Sequence, residues 1–134
     1  MFLVDSSVWI DFLRGSPTPA CDGFRSLLEE RSAEVATTEP VILELLAGAP
    51  NDHALTQLEA LTNGLPLLAV DARLDYRSGA ALYRTARRSG KTVWRLIDCL
   101  IAAVALRSEA TLVHKDADYD ALADVVPLDV LSFR

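Results

Sequence analysis

Apolar positions along this chain come in two spacings, short continuous runs and longer stretches with helical periodicity, and the two alternate. Phe2-Leu3-Val4 predicts a short buried strand. A helix follows from about Ser7 to Arg14, with Asp5 or Ser6 available as its N-cap. Gly15-Ser16-Pro17-Thr18-Pro19 is a turn, and a second helix runs from about Ala20 to Arg31 with Phe24, Leu27 and Leu28 on its inner face. Glu34 to Ala36 predicts a strand. Thr38 then caps a helix that carries Pro40 in its first turn, reaches about Ala47 and is ended by Gly48. Ala54 to Leu61 is helical, Leu65 to Val70 predicts another strand, and a long helix spans about Ala72 to Ser89 before Gly90 stops it. Leu96 to Arg107 predicts a helix, Thr111 to Val113 a strand, Tyr119 to Ala123 a short helix and Leu128 to Leu131 a last strand.

Strands separated by helices predict an α/β domain, a central parallel sheet with helices on both faces. Ligands of such open sheets sit beyond the carboxyl ends of the strands. Asp5 and Asp116 each fall just after such an end, which puts both on one rim. No linker, repeat or low-complexity segment divides the chain, so residues 1–134 are read as one domain.

Acidic residues break the apolar pattern at Asp5, Glu44, Asp98 and Asp116. An unpaired buried carboxylate is costly, so it is normally neutral, paired or bound to metal. Around Asp98 the neighbours at i−4, i+3 and i+4 are Trp94, Ile101 and Ala102; around Glu44 they are Pro40, Ala47 and Gly48. Neither acid therefore lies on a solvated helix face. Asp5 taken alone is as well explained as an N-cap, and Asp116 could cap the short helix after it. Glu44 and Asp98 have no capping role. With no obvious basic partners, the set reads as a site for divalent cations. Glu29, Glu30 and Asp52 sit in polar surroundings and read as surface, as does Asp11, which has Arg14 three residues on.

Oxygen-only donors suit Mg²⁺ or Mn²⁺ rather than Zn²⁺. His53 and His114 are read as non-ligands. The chain lacks a Walker-type glycine loop, a Gly-x-Ser-x-Gly elbow and a dinucleotide glycine fingerprint. Without a protein nucleophile, the natural chemistry is a metal-activated water attacking phosphorus, with one or two ions about 4 Å apart.

Composition narrows the setting. The apolar fraction is 51%, yet Arg95 and Asp98 break the longest apolar run below the length of a membrane span. No signal peptide is visible, and Cys21 and Cys99 follow no metal or redox spacing, so a reduced cytoplasmic protein is expected. A net charge of −6 argues against non-specific coating of nucleic acid. The charge is uneven, however. From Arg73 to Arg95 the bases Arg73, Arg77, Arg84, Arg87, Arg88, Lys91 and Arg95 face the single acid Asp75, a segment able to grip a polyanion locally.

Val4-Asp5-Ser6-Ser7-Val8-Trp9-Ile10 resembles the opening of PIN-domain ribonucleases of the VapC toxin type. Val41-Ile42-Leu43-Glu44-Leu45-Leu46-Ala47-Gly48 resembles the second acidic motif of that family, and Ile97-Asp98-Cys99-Leu100-Ile101-Ala102-Ala103 the third. Val113-His114-Lys115-Asp116-Ala117-Asp118-Tyr119 resembles the fourth, where a strand ends in a basic-Asp-x-Asp-aromatic pattern. The motifs stand in the family's order and cover essentially the whole chain.

The resemblance implies a PIN-like three-layer fold and an endoribonuclease that uses Mg²⁺ or Mn²⁺, the toxin of a type II toxin–antitoxin pair with tRNA as the expected RNA. It implies a small cognate antitoxin of the VapB type, DNA-binding and with a basic C-terminal segment. A homodimer is also expected, because the high apolar content fits a buried interface, although a large core explains it nearly as well. Carried over residue by residue, Asp5, Glu44, Asp98 and Asp116 are the catalytic acids, and Asp5, Asp98, Asp116 and Asp118 hold metal. Asp118 acts directly or through water; a solvated turn acid is the competing reading. Ser7 orients the metal-bound water or caps the first helix. Ser6 stands where the family commonly has Thr. Arg87, Arg88, Lys91 and Arg95 lead into the helix of Asp98 and are expected to hold RNA phosphates, Arg95 foremost, against the alternative of a solvated basic face. Trp9 and Trp94 are expected to pack in the core or an interface. Rival functions are a non-catalytic PIN-like module that holds a structural ion or basic peptide, and a metal-dependent DNA nuclease or phosphatase.

Overall fold

Strands buried on both faces are mainly apolar, and β1 (Phe2–Val4), β2 (Val35–Ala36) and the centre of β3 (Thr111–His114) fit, with Leu3, Val4, Val35, Ala36, Leu112 and Val113 all fully buried. The computed structural model describes residues 1–91 and 95–134 and joins these strands with β4 (Val130–Ser132) into one parallel sheet of order β2-β1-β3-β4. Leu3 lies opposite Ala36 on one side and Leu112 on the other, and Val113 lies opposite Leu131. The α-helices among the described residues are α1 (Ser6–Arg14), α2 (Pro19–Arg31), α3 (Glu39–Ala47), α4 (Asp52–Asn63), α5 (Asp75–Arg88), α6 (Leu96–Arg107) and α7 (Ala117–Ala123). The α/β architecture expected from the sequence is therefore present. None of the described helices is long and apolar enough to cross a membrane.

From β1 the chain moves outward to β2, then returns through α3–α6 to β3 on the far side of β1. The strand order thus reverses between β1 and β3, and the crevice beyond their carboxyl ends is where such sheets bind ligands. Trp9 packs beneath α1 as expected, edge-on to Phe24 at 4.6 Å, with Phe12 5.2 Å from the same ring. The expectation for Trp94 lies outside the described residues.

Two elements differ from their sequence reading. Residues 65–70 form no strand; Leu67 alone bridges Thr37. Thr37 donates its N–H to the Pro66 carbonyl at 2.9 Å and Leu68 donates to the Thr37 carbonyl at 2.8 Å. Pro66 has no N–H to extend that ladder, and Leu67 is half exposed, so the run only brushes the sheet edge. The long basic helix starts at Asp75, later than Ala72. Asp71 accepts from the N–H groups of Arg73 and Leu74, and Asp75 accepts from the N–H of Asp71, so short acidic side chains satisfy the backbone in a turn instead of a helix.

Asp11 also departs from its reading. It is buried rather than solvated, because Thr18 folds back over it with a 2.9 Å hydrogen bond and Lys115 reaches it from the end of β3.

α6 carries the interior of the molecule, with Cys99 and Ile101 through Ala105 all buried. Gly79 lets α5 lie close against it, since a Cβ there would stand 3.4 Å from the Leu100 Cα. At the other end Arg107 donates to both Asp75 carboxylate oxygens at 2.9 Å and to the Ala69 carbonyl at 2.7 Å. Contacts at both ends thus fix the helix that delivers Asp98.

Candidate active site

The switch point fixes Asp5 first. Its backbone N–H continues the sheet by donating to the Val113 carbonyl at 2.9 Å, and its side chain caps α1. Oδ2 accepts from the Ser7 N–H at 3.1 Å and from the Ser7 hydroxyl at 2.6 Å. Asp116 plays the matching role beyond β3, capping α7 by accepting the Asp118 N–H at 2.9 Å. Capping and rim placement are therefore the same fact: each strand ends where a helix begins, and the cap faces the crevice.

Asp98 enters from the first turn of α6 and is 2% exposed. Its Oδ1 and the Asp5 Oδ1 lie 3.3 Å and 3.1 Å from one hydroxyl, that of the fully buried Tyr119. Oδ2 of Asp98 is buried with no hydrogen-bond partner among the described residues. Asp98, Asp116 and Asp118 each offer a carboxylate oxygen, and these oxygens lie within 4.8 Å of one another. Asp118 is buried rather than solvated in its turn.

The electrostatics follow from this crowding. Burial pushes the Asp98 carboxyl up to about 7, and the neighbouring charges of Asp5, Asp116 and Glu44 push the same way against Arg95. Burial raises the Tyr119 phenol well above its ordinary range, with Asp5 and Asp98 adding to it, so the hydroxyl stays protonated and remains a donor. A buried oxygen without a partner among the described residues, in a candidate ligand group made up of carboxylates, fits a hard divalent cation.

Glu44 stands outside the three-acid group. Ser6 donates to its Oε1 at 3.1 Å and Arg95 forms an ion pair with its Oε2. The expectation that these acids lack a basic partner is thus corrected: Arg95, 51 residues away in the chain, supplies one for Glu44. Of the four basic residues singled out, Arg95 alone reaches the carboxylates. Arg87 lies over the Tyr83 ring at 5.6 Å, Arg88 donates to Thr85 at 3.4 Å, and Lys91 pairs with Asp124 at 3.2 Å.

His114 is wholly buried, and its Nδ1 accepts the Asp116 N–H at 3.0 Å. Burial lowers its pKa, which leaves a neutral ring with its proton on Nε2, 3.2 Å from Asp120 Oδ1. It supports the Asp116 loop rather than facing a cation. Sequence reasoning missed Tyr119 and Ser6 as residues that touch the site acids. The aromatic residue after Asp118 was the one available signal, and nothing local ties it to Asp5, 114 residues earlier.

Residues 2–125 match the PIN domain family. Ribonuclease VapC11 of Mycobacterium tuberculosis is 46% identical over 134 residues, covering 100% of both chains. Ribonuclease VapC19 of the same organism is 34% identical over 112 residues, covering 84% of this chain and 86% of its own. Among solved structures, VapBC2 from Rickettsia felis bound to a promoter DNA fragment superposes with a TM-score of 0.76 at 16% identity, covering 99% of this chain and 98% of that one. Mycobacterium tuberculosis VapC20, described as a sarcin–ricin loop cleaving toxin, gives 0.72 at 19% identity, covering 96% and 99%. With a parallel sheet, acids at its switch point and full-length identity of this order, the chain belongs to the PIN-domain family, among the VapC ribonucleases.

Proposed function

We propose that this chain is a metal-dependent endoribonuclease, the toxin of a type II toxin–antitoxin pair, and that it hydrolyses RNA at the carboxylate cluster centred on Asp98. The observation that carries the reading is the buried Asp98 Oδ2, which lacks a partner among the described residues and stands in a group with Asp116 and Asp118. Asp98, Asp116 and Asp118, with Asp5 beside them, would hold Mg²⁺ or Mn²⁺. Bound there, such an ion supplies Lewis acidity toward the phosphate and makes a water nucleophilic near neutral pH.

The chain's own residues supply position and charge. Ser7 and Tyr119 hold Asp5, the His114 ring holds the Asp116 backbone, and α6 carries Asp98 to both. Glu44, outside the three-acid group, is held by Ser6 at one oxygen and by Arg95 at the other. Arg95 exchanges Glu44 for an RNA phosphate as substrate arrives. Ser7 acts through Asp5, since both its donors are spent on that carboxylate.

Structured RNA is the substrate class, with tRNA the first candidate, and the cytoplasm is the setting. A VapB-type antitoxin with a basic C-terminal segment is the expected inhibitor. An apolar cleft of about 440 Å³ between α1, α3 and α4, lined by Leu13, Leu45, Leu58 and Leu61 and reaching Glu44, would take apolar side chains of such an antitoxin. A homodimer would use the α5–α6 face, where Leu74, Tyr76 and Leu96 are more than half exposed.

Purified protein should cut structured RNA in Mn²⁺ and stop on chelation, and Asp98→Asn should lose that activity. Equal cleavage by wild type and Asp98→Asn would trace the activity to a contaminant and overturn the assignment.

A further inference from the structure

Building on the ribonuclease reading, we propose that Tyr119 is a positioning residue that sets the ion preference of the site: its one hydroxyl proton is shared between Asp98 Oδ1 and Asp5 Oδ1, which leaves Asp98 Oδ2 as the oxygen freest to meet a cation. The hydroxyl is fully buried, and a buried polar group is retained only where it is hydrogen-bonded. Here its two neighbours are both site acids, Asp5 Oδ1 at 3.1 Å and Asp98 Oδ1 at 3.3 Å.

Packing supports the ring in that position. It packs against His114, with centroids 5.1 Å apart, and His114 is itself bonded to the backbone of Asp116. Tyr119, His114 and Asp116 therefore form one supported unit facing Asp98 and Asp5. Ser7 holds the remaining oxygen of Asp5, so Asp98 Oδ2 is the one oxygen of these two carboxylates without a partner among the described residues.

A carboxylate held through one oxygen meets a cation more readily through a single further lone pair than by chelation through both oxygens. Mg²⁺ wants six near-octahedral ligands at about 2.0–2.1 Å and is served by such single-oxygen donors. Ca²⁺ takes six to eight ligands at about 2.3–2.6 Å and is favoured by carboxylates free to chelate through both oxygens. The Tyr119 hydroxyl therefore biases the site toward the small ions. A phenylalanine would fill the same space and release Asp98.

The test is calorimetric titration of wild type and Tyr119→Phe with MnCl₂, MgCl₂ and CaCl₂. Affinity for Mn²⁺ and Mg²⁺ should fall by about tenfold to a hundredfold, the usual loss on removing a group that orients a ligand. Affinity for Ca²⁺ should fall less, so the preference for Mn²⁺ over Ca²⁺ narrows. A purely structural tyrosine would lower the melting temperature and leave that preference unchanged, which overturns the proposal. Wild-type protein that binds none of the three ions overturns the ribonuclease reading itself, a separate outcome. Should the variant not fold, near-UV difference absorption of the wild type decides: Mn²⁺ should perturb a buried tyrosine, and a titration without a tyrosine signal overturns the proposal.

Discussion

Asp98 holds a proton near neutral pH that an ordinary aspartic acid has lost, and this makes its ionisation visible in stability. Burial raises its folded pKa from 3.8 to about 7. Between those values the folded chain binds a proton that the unfolded chain has released. The contribution is fully present below about pH 4 and is lost as pH rises through about 7. From pH 5 to pH 8 metal-free wild type should therefore lose melting temperature relative to Asp98→Asn in thermal scans, a comparison in which the opposite trend of the buried His114, common to both proteins, cancels. Added Mn²⁺ should reverse the trend, because a cation needs the ionised carboxylate and competes with that proton. Asp98→Asn removes the buried charge, so the metal-free variant should melt above wild type at pH 8, with a flatter pH profile and no rise on adding Mn²⁺. Asp98 and Glu44 were legible in the sequence because apolar residues surround them at helical spacing. The partner of Glu44 was not, because Arg95 meets it across 51 residues of chain.

At the scale of elements, α6 was read to its exact ends, since a stretch between Arg95 and Arg107 that is apolar but for Asp98 leaves a helix few alternatives. Residues 65–70 were misread for the opposite reason: five apolar residues carry strand propensity, but Pro66 removes the donor that a second bridge needs. Asp11 was misread because its partners, Thr18 and Lys115, arrive from a turn and from another strand. The Asp75–Arg107 pair was invisible for the same kind of reason, and it clamps α5 to the C-terminal end of α6. Asp75 is 1% exposed in its side chain, so Arg107→Ala strands a buried carboxylate. The loss should be about 2–3 kcal/mol in denaturant unfolding, less than for a fully enclosed pair because Arg107 reaches solvent. Metal affinity at temperatures where the variant is folded should stay close to wild type.

For the whole molecule, an acidic chain of net charge −6 must bring a polyanion to an acidic centre. The sequence located the basic segment but could not say which of its members face the acids. The fold places Arg95 against Glu44 and leaves Arg87, Arg88 and Lys91 with partners of their own. Arg95→Ala should weaken binding of inactive Asp98→Asn protein to RNA uniformly across sequences, and reduce the slope of log K against log salt by about one. Arg87→Ala together with Arg88→Ala should change that slope less. An equal effect of both would mean that the phosphate track runs along α5.

The most direct test is anomalous scattering from crystals soaked in Mn²⁺. A cation centre predicts a peak within bonding distance of Asp98 Oδ2 and of a carboxylate oxygen of Asp116 or Asp118, absent in Asp98→Asn crystals. Ordered crystals soaked at saturating Mn²⁺ that show peaks only elsewhere on the surface would contradict it.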